Sequence, residues 1–104
     1  MRFIEERTYT LHIGMMPTYL RELECAMPLF DQFMGKREAN FTTEVGGLNQ
    51  IISYRSYENW EAREACIAAI RDHPTFPEVA GRLLPMISRQ ENRLLKPTGF
   101  SPIR

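Results

Sequence analysis

The sequence predicts an α+β domain of ferredoxin-like βαββαβ order, a four-stranded antiparallel sheet with its helices on one face. Three observations lead there. Four stretches carry the period-two alternation and the β-branched and aromatic enrichment of strands. Two longer stretches between them carry apolar residues at helical spacing, and glycine, asparagine and proline punctuate the junctions. At 104 residues, 43% of them hydrophobic, the chain is expected to form a single domain over residues 1–104, burying about two thirds of the surface of its unfolded form.

The first strand is read from RFIEERTYTLHI, in which Phe3, Tyr9 and Leu11 share one face and Ile4, Thr8 and Thr10 the other. Gly14 closes it. Pro17 suits a first helical turn, where its missing N–H costs nothing. Met16, Tyr19, Leu20, Leu23, Met27, Phe30 and Met34 then form the stripe of an amphipathic helix running to about Phe33, with a kink or an early end expected at Pro28. REANFTTEVGGLNQIISYRS reads as two strands joined by a tight turn at Gly46-Gly47, the second of them the more buried. Asn59 is placed to cap a second helix from Trp60, with Ala62, Ala65, Cys66 and Ala69 as a small-residue stripe against the sheet. Asp72-His73-Pro74 stops that helix. TFPEVAGRLLPMI is a short helical or turn-rich connection, and Ile87 to Lys96 is the last strand.

Charge restricts the partners. Thirteen basic residues balance thirteen acidic ones and alternate with them along the chain, so no basic stripe exists to neutralise phosphates and no nucleic acid partner is expected. No segment approaches the roughly 18 apolar residues of a membrane span, and MRFIEERTYT lacks the apolar run of a signal peptide, so a cytoplasmic location is expected. Cys25 and Cys66 stand without C-x-x-C spacing and are read as two free thiols. No His, Cys, Asp and Glu set has the spacing of a metal site. The sequence calls for no cofactor, and haem stays open.

A sheet covered on one face leaves the other bare. Ile4, Ile51 or Ile52, and Leu94 or Leu95 must supply apolar groups to that bare face, which makes sheet-to-sheet pairing into a homodimer the expected outcome.

Four segments in fixed order, ERTYTLHIG, NFTTEVGGLNQII, SYENWEARE and SRQENRLLKPTGFSP, resemble the NIPSNAP family within the dimeric α+β barrel proteins. The resemblance spans nearly the whole chain and implies homodimers whose two sheets close into a barrel around a shared interior. Arg7, Thr8 and Tyr9 match the family's Arg-Thr-Tyr, Gly46 and Asn49 its hairpin, and Glu91, Asn92 and Pro97 its closing strand. Glu6 departs from the pattern, standing where the family usually carries an apolar residue. The resemblance implies no settled reaction. Its wider relatives include cofactor-free monooxygenases, haem-degrading enzymes, isomerases and small-ligand sensors, and fold alone does not choose among them.

Candidate chemistry centres on the first and last strands. Glu5 and Arg7 share a face with Tyr9, and Glu91 and Arg93 are expected as their cross-strand partners. The resulting network of Glu5, Arg7, Glu91 and Arg93 is open to two readings: a structural ion-pair ladder or solvated face, or a ligand site, with Arg7, Tyr9, Asn49, Glu91, Asn92 and Arg93 as its candidate binding residues, in which Arg7 or Arg93 grips a carboxylate in fork geometry. His12, ending the first strand, is either simply exposed or a general base at a pocket mouth. Tyr54, Tyr57 and Trp60 are expected to cluster near the second helix, and the six Met and six Phe to fill the core, unless an apolar pocket for a flat ligand opens there. Two classes follow: a module binding a small apolar or carboxylated molecule, or a cofactor-independent monooxygenase or isomerase.

Overall fold

The computed structural model describes residues 2–104. Strand β1 (Phe3–Leu11) leads into α1 (Met16–Phe33), β2 (Lys36–Thr42), β3 (Gln50–Tyr57), α2 (Trp60–Arg71), α3 (Phe76–Leu83), a single 3₁₀ turn (Leu84–Met86) and β4 (Ile87–Leu95). The strands form one antiparallel sheet in the order β2-β3-β1-β4, the ferredoxin-like α+β fold. No helix among the described residues is long and apolar enough to cross a membrane.

Helix-start and helix-stop chemistry acts where the sequence places it. Asn59 Oδ1 accepts from the Ala62 N–H at 2.7 Å, satisfying one of the free donors of the first turn of α2. Pro17 lies in the first turn of α1, and Arg71 is the last residue of α2. Pro28 does not end α1, which continues through it to Phe33. The helical face packs on the sheet through a core of Leu11, Tyr19, Ile51, Leu83 and Met86, flanked by Tyr9, Leu23, Phe30 and Val79. Burying side chains of this size contributes about 1.5–3 kcal/mol each. At Gly35, between α1 and β2, a Cβ would sit 2.2 Å from the Ser56 carbonyl oxygen and 2.8 Å from the Tyr57 ring. Only glycine fits where the helix returns so close to β3.

Three local expectations are corrected. The β2–β3 connection is not a tight turn: the strands end at Thr42 and restart at Gln50, and Thr43 and Gln50 close a longer loop (Thr43 N–H to Gln50 O, 3.1 Å) with positive φ at Gly46 and Asn49. The inner face of α2 is made by Ala62, Arg63, Cys66, Ile67 and Ile70, while Ala65 and Ala69 face outward. The aromatic residues do not all join the core. Tyr57 is buried and stacks on Phe3 at 5.7 Å, but Tyr54 projects from the opposite face against Phe41 at 6.1 Å, and Phe41, Trp60 and Phe100 are exposed.

Register fixes the faces. Arg7 stands opposite Ser53 and Asn92, and Glu5 opposite Arg55 and Leu94, on the helix side; Glu6 stands opposite Tyr54 and Arg93, and Thr8 opposite Ile52 and Glu91, on the bare side. Helices cover β1 and β3. The edge strand β4 is left exposed from Ser88 to Leu94 on both faces.

Candidate functional site

The helix side of β1 carries an unbroken ladder, Phe3, Glu5, Arg7, Tyr9 and Leu11, because side chains two apart project from one face of a strand. Glu5 is its pivot. Only 1% of its side chain is exposed, and a carboxylate in that position survives only if its lone pairs are filled. Oε1 accepts from Arg7 Nε at 3.2 Å. Oε2 accepts from Arg63 at 2.7 and 3.2 Å through Nη2 and Nε, and from Asn92 Nδ2 at 3.1 Å. Burial by itself would raise the Glu5 pKa, but the Arg63 hydrogen bonds and the nearby charges of Arg7 and Arg63 hold it below the usual 4.5. It is a carboxylate at neutral pH.

Arg7 extends the cluster. Its Nη1 donates to the Tyr9 hydroxyl at 3.2 Å, leaving that hydroxyl its own proton to donate onward. Nη2 of Arg7 has no hydrogen-bond partner among the described residues, and 29% of the side chain is exposed. Burial opposes its charge, but Tyr9 and Glu5 beside it raise the guanidinium pKa above its ordinary value. Beneath them, burial pushes the Tyr19 phenol far up, so it stays neutral. Arg63 also ion-pairs with Glu64 at 2.9 Å and lies 4.8 Å above the Trp60 ring.

Of the sequence-derived candidates, Arg7, Tyr9 and Asn92 come together here, joined by Glu5 and Arg63. Glu91 and Arg93 do not. The register turns both to the bare face, where Arg93 Nε and Nη2 grip Glu6 at 2.8 and 3.1 Å, Tyr54 donates to Glu6 at 2.7 Å, and Glu91 pairs with Arg89 at 2.6 Å. The expected pairing of Arg7 with Glu91 fails because period-two alternation puts residues 91 and 93 opposite Thr8 and Glu6 instead. Asn49 lies at the other end of the sheet, its carbonyl accepting from the Leu11 N–H at 2.8 Å. His12 is exposed just past β1, its backbone N–H bound to the Met86 carbonyl. Sequence reasoning missed Arg63. Its signal was available: it lies three residues after Trp60 and three before Cys66, on the inner face of α2.

Comparisons with known proteins support the fold and the family. The NIPSNAP family model matches residues 4–102. A NIPSNAP family protein from Agrobacterium tumefaciens superposes with a TM-score of 0.97 at 28% identity, all of each chain covered. An uncharacterised NIPSNAP-like domain protein from Burkholderia xenovorans gives 0.92 at 27% identity, over 97% of this chain and 89% of that one. A cofactor-independent oxygenase from Streptomyces nogalater shares the fold alone, with a TM-score of 0.67 at 14% identity over 97% of each chain. No curated protein sequence matches this one.

Proposed function

This chain belongs to the NIPSNAP family, and from that premise we propose that it is a cytoplasmic homodimer that binds a small carboxylated molecule on the helix side of β1 and β4. One observation carries the reading. Two guanidiniums, Arg7 and Arg63, converge on the single buried carboxylate of Glu5; the half-exposed Glu64 answers Arg63, and Arg7 keeps an unpartnered Nη2 beside a strand that no helix covers. A partly desolvated cation with an unused N–H fork is suited to a carboxylate, which it binds through short, charge-assisted hydrogen bonds. Arg7 Nη2 provides the charge, the Tyr9 hydroxyl a second donor, and Glu5 with Arg63 and Asn92 holds Arg7 in place.

The homodimer draws its support from the bare face, where Ile4 pairs with Leu95 across β1 and β4 and Ile52 pairs with Phe41 across β3 and β2. Phe41 is exposed beside them, and the loop ahead of β3 adds exposed Val45 and Leu48. Apolar area of this kind on a small domain marks an interface. Size exclusion with light scattering is expected to give twice the chain mass, and Ile52→Lys to give the single-chain mass; a wild-type monomer at micromolar concentration would end the proposal of a shared barrel.

Native mass spectrometry of freshly purified protein tests the ligand, followed by thermal melts with candidate carboxylates. Protection by a carboxylate that disappears in Arg7→Ala supports the site, and protection that persists in the variant refutes it. A second reading, a cofactor-independent monooxygenase or isomerase, is favoured by the paired Arg7 and Tyr9 donors, which would stabilise an oxyanion forming on a substrate. Oxygen uptake with quinol substrates is its test.

A further inference from the structure

At the foot of β1 and β4 lies an open apolar groove of about 410 Å3, floored by Phe3, Trp60 and Leu94 with Asn59, Glu61, Leu95 and Lys96 around it. Its size falls within the range of small-molecule sites, about 300–1,000 Å3. Trp60 and Leu94 are 49% and 50% exposed, so their side chains are open to a ligand.

The groove adjoins the polar cluster along β1 and β4. Leu94 is the register partner of Glu5, Phe3 is two residues before Glu5 on the same face of β1, and Asn92 is two residues before Leu94 on the same face of β4. Arg63 joins the two directly, stacking on Trp60 while donating to Glu5. One strip along the uncovered side of β4 is therefore apolar at its Lys96 end and cationic at its Arg7 end. We infer that groove and cluster form one bipartite site for a monocarboxylate with an apolar body. The acid sits against Arg7, Tyr9 and Asn92, and the body lies over Trp60, Phe3 and Leu94. This rests on the carboxylate reading above and adds to it the hydrophobic half of the ligand. The step from Asn92 to Leu94 is about 7 Å along the strand, so a body of about six carbons or more enters the groove while its acid stays at the guanidinium.

Trp60 is the sole tryptophan, so selectively excited tryptophan emission reports on this groove alone. Sodium acetate, hexanoate, octanoate and decanoate, each kept below its micellar concentration, and 1-octanol as the neutral control, are titrated into the full chain and followed by Trp60 emission and by calorimetry. The expected result is saturable binding that tightens roughly fourfold per added methylene, a Trp60 shift for the longer acids, and octanoate bound at least tenfold more tightly than octanol. Leu94→Ser, at an exposed position, should weaken octanoate about tenfold and leave acetate unchanged. Acids that bind with no dependence on chain length and no Trp60 response overturn the groove while leaving the carboxylate reading intact. Octanol that binds as well as octanoate, with a Trp60 response, overturns the carboxylate reading and with it the bipartite ligand.

Discussion

Glu5 and Glu6 are neighbours on one strand, each held by arginine, and they show how little the presence of an ion pair says about its worth. Glu5 faces the helices, is sealed from water and takes donors from β1, β4 and α2. Glu6 faces the bare side. Its partner Arg93 is 67% exposed while Glu6 itself is only 12% exposed, so the pair has the bidentate geometry of a strong contact but is desolvated on the carboxylate side alone. Exposed pairs contribute about 0–1 kcal/mol; breaking a buried one strands its partners and costs about 3–5 kcal/mol. The difference lies in the face of the strand, one residue apart.

The largest expected effect is at Glu5. Glu5→Ala leaves Arg7 and Arg63 facing each other without the buried anion between them and should lower the free energy of unfolding by about 3–5 kcal/mol, read from urea denaturation. A loss near zero would mean that burial does not distinguish the two clusters. Arg7→Ala should cost less, about 1–2 kcal/mol, because Glu5 keeps Arg63 and Asn92.

Acid sharpens the same contrast. The folded-state pKa of Glu5 lies below its unfolded value near 4.5, so its contribution is complete above pH 4.5 and is lost as the pH falls through the lower folded value. Urea midpoints measured from pH 7 to pH 3 should fall on the acid side in wild type and fall less steeply in Glu5→Gln, which has no charge to lose. Hydrogen bonds from Arg93 and Tyr54 lower the Glu6 pKa in the same direction, but the exposure of Arg93 screens the effect. Glu6→Ala, the smallest change, should alter monomer stability by no more than about 1 kcal/mol. If its cost grows with protein concentration, the bare face is buried in the homodimer and the two clusters are more alike than the single chain makes them.

Element order, the cap at Asn59, the stop at Asp72 and the extent of α1 were legible in the sequence because each depends on local chemistry: period, capping and the special backbone of proline. The placement of Arg7 with Tyr9 was legible for the same reason, since residues two apart on a strand share a face. Pairing across strands was not. Whether Arg7 meets Glu91 or Asn92 depends on a register shift of one residue, and a one-residue shift reverses every face. That register is set by long-range packing and by the bulge between Thr10 and Leu11, neither of which leaves a local mark. Arg63 was hidden by a different cause. A helical arginine is usually a surface residue, and only the fold shows that a carboxylate waits beneath it.

The outer rim of β4 bears on how the protein behaves in a crowded cell. A terminal strand of a sheet offers an unpaired row of main-chain donors and acceptors, a template on which another chain can add and grow into a fibre. SRQENR sets two positive charges and one negative charge along that rim, and Arg89, Glu91 and Arg93 are all exposed in the single chain. A second β4 laid alongside in parallel register would bring like charges together, and added strands would have to bury them. The polar run therefore also guards against aggregation: replacing those three residues with threonine would leave the monomer's core untouched and make the sheet prone to extend from chain to chain.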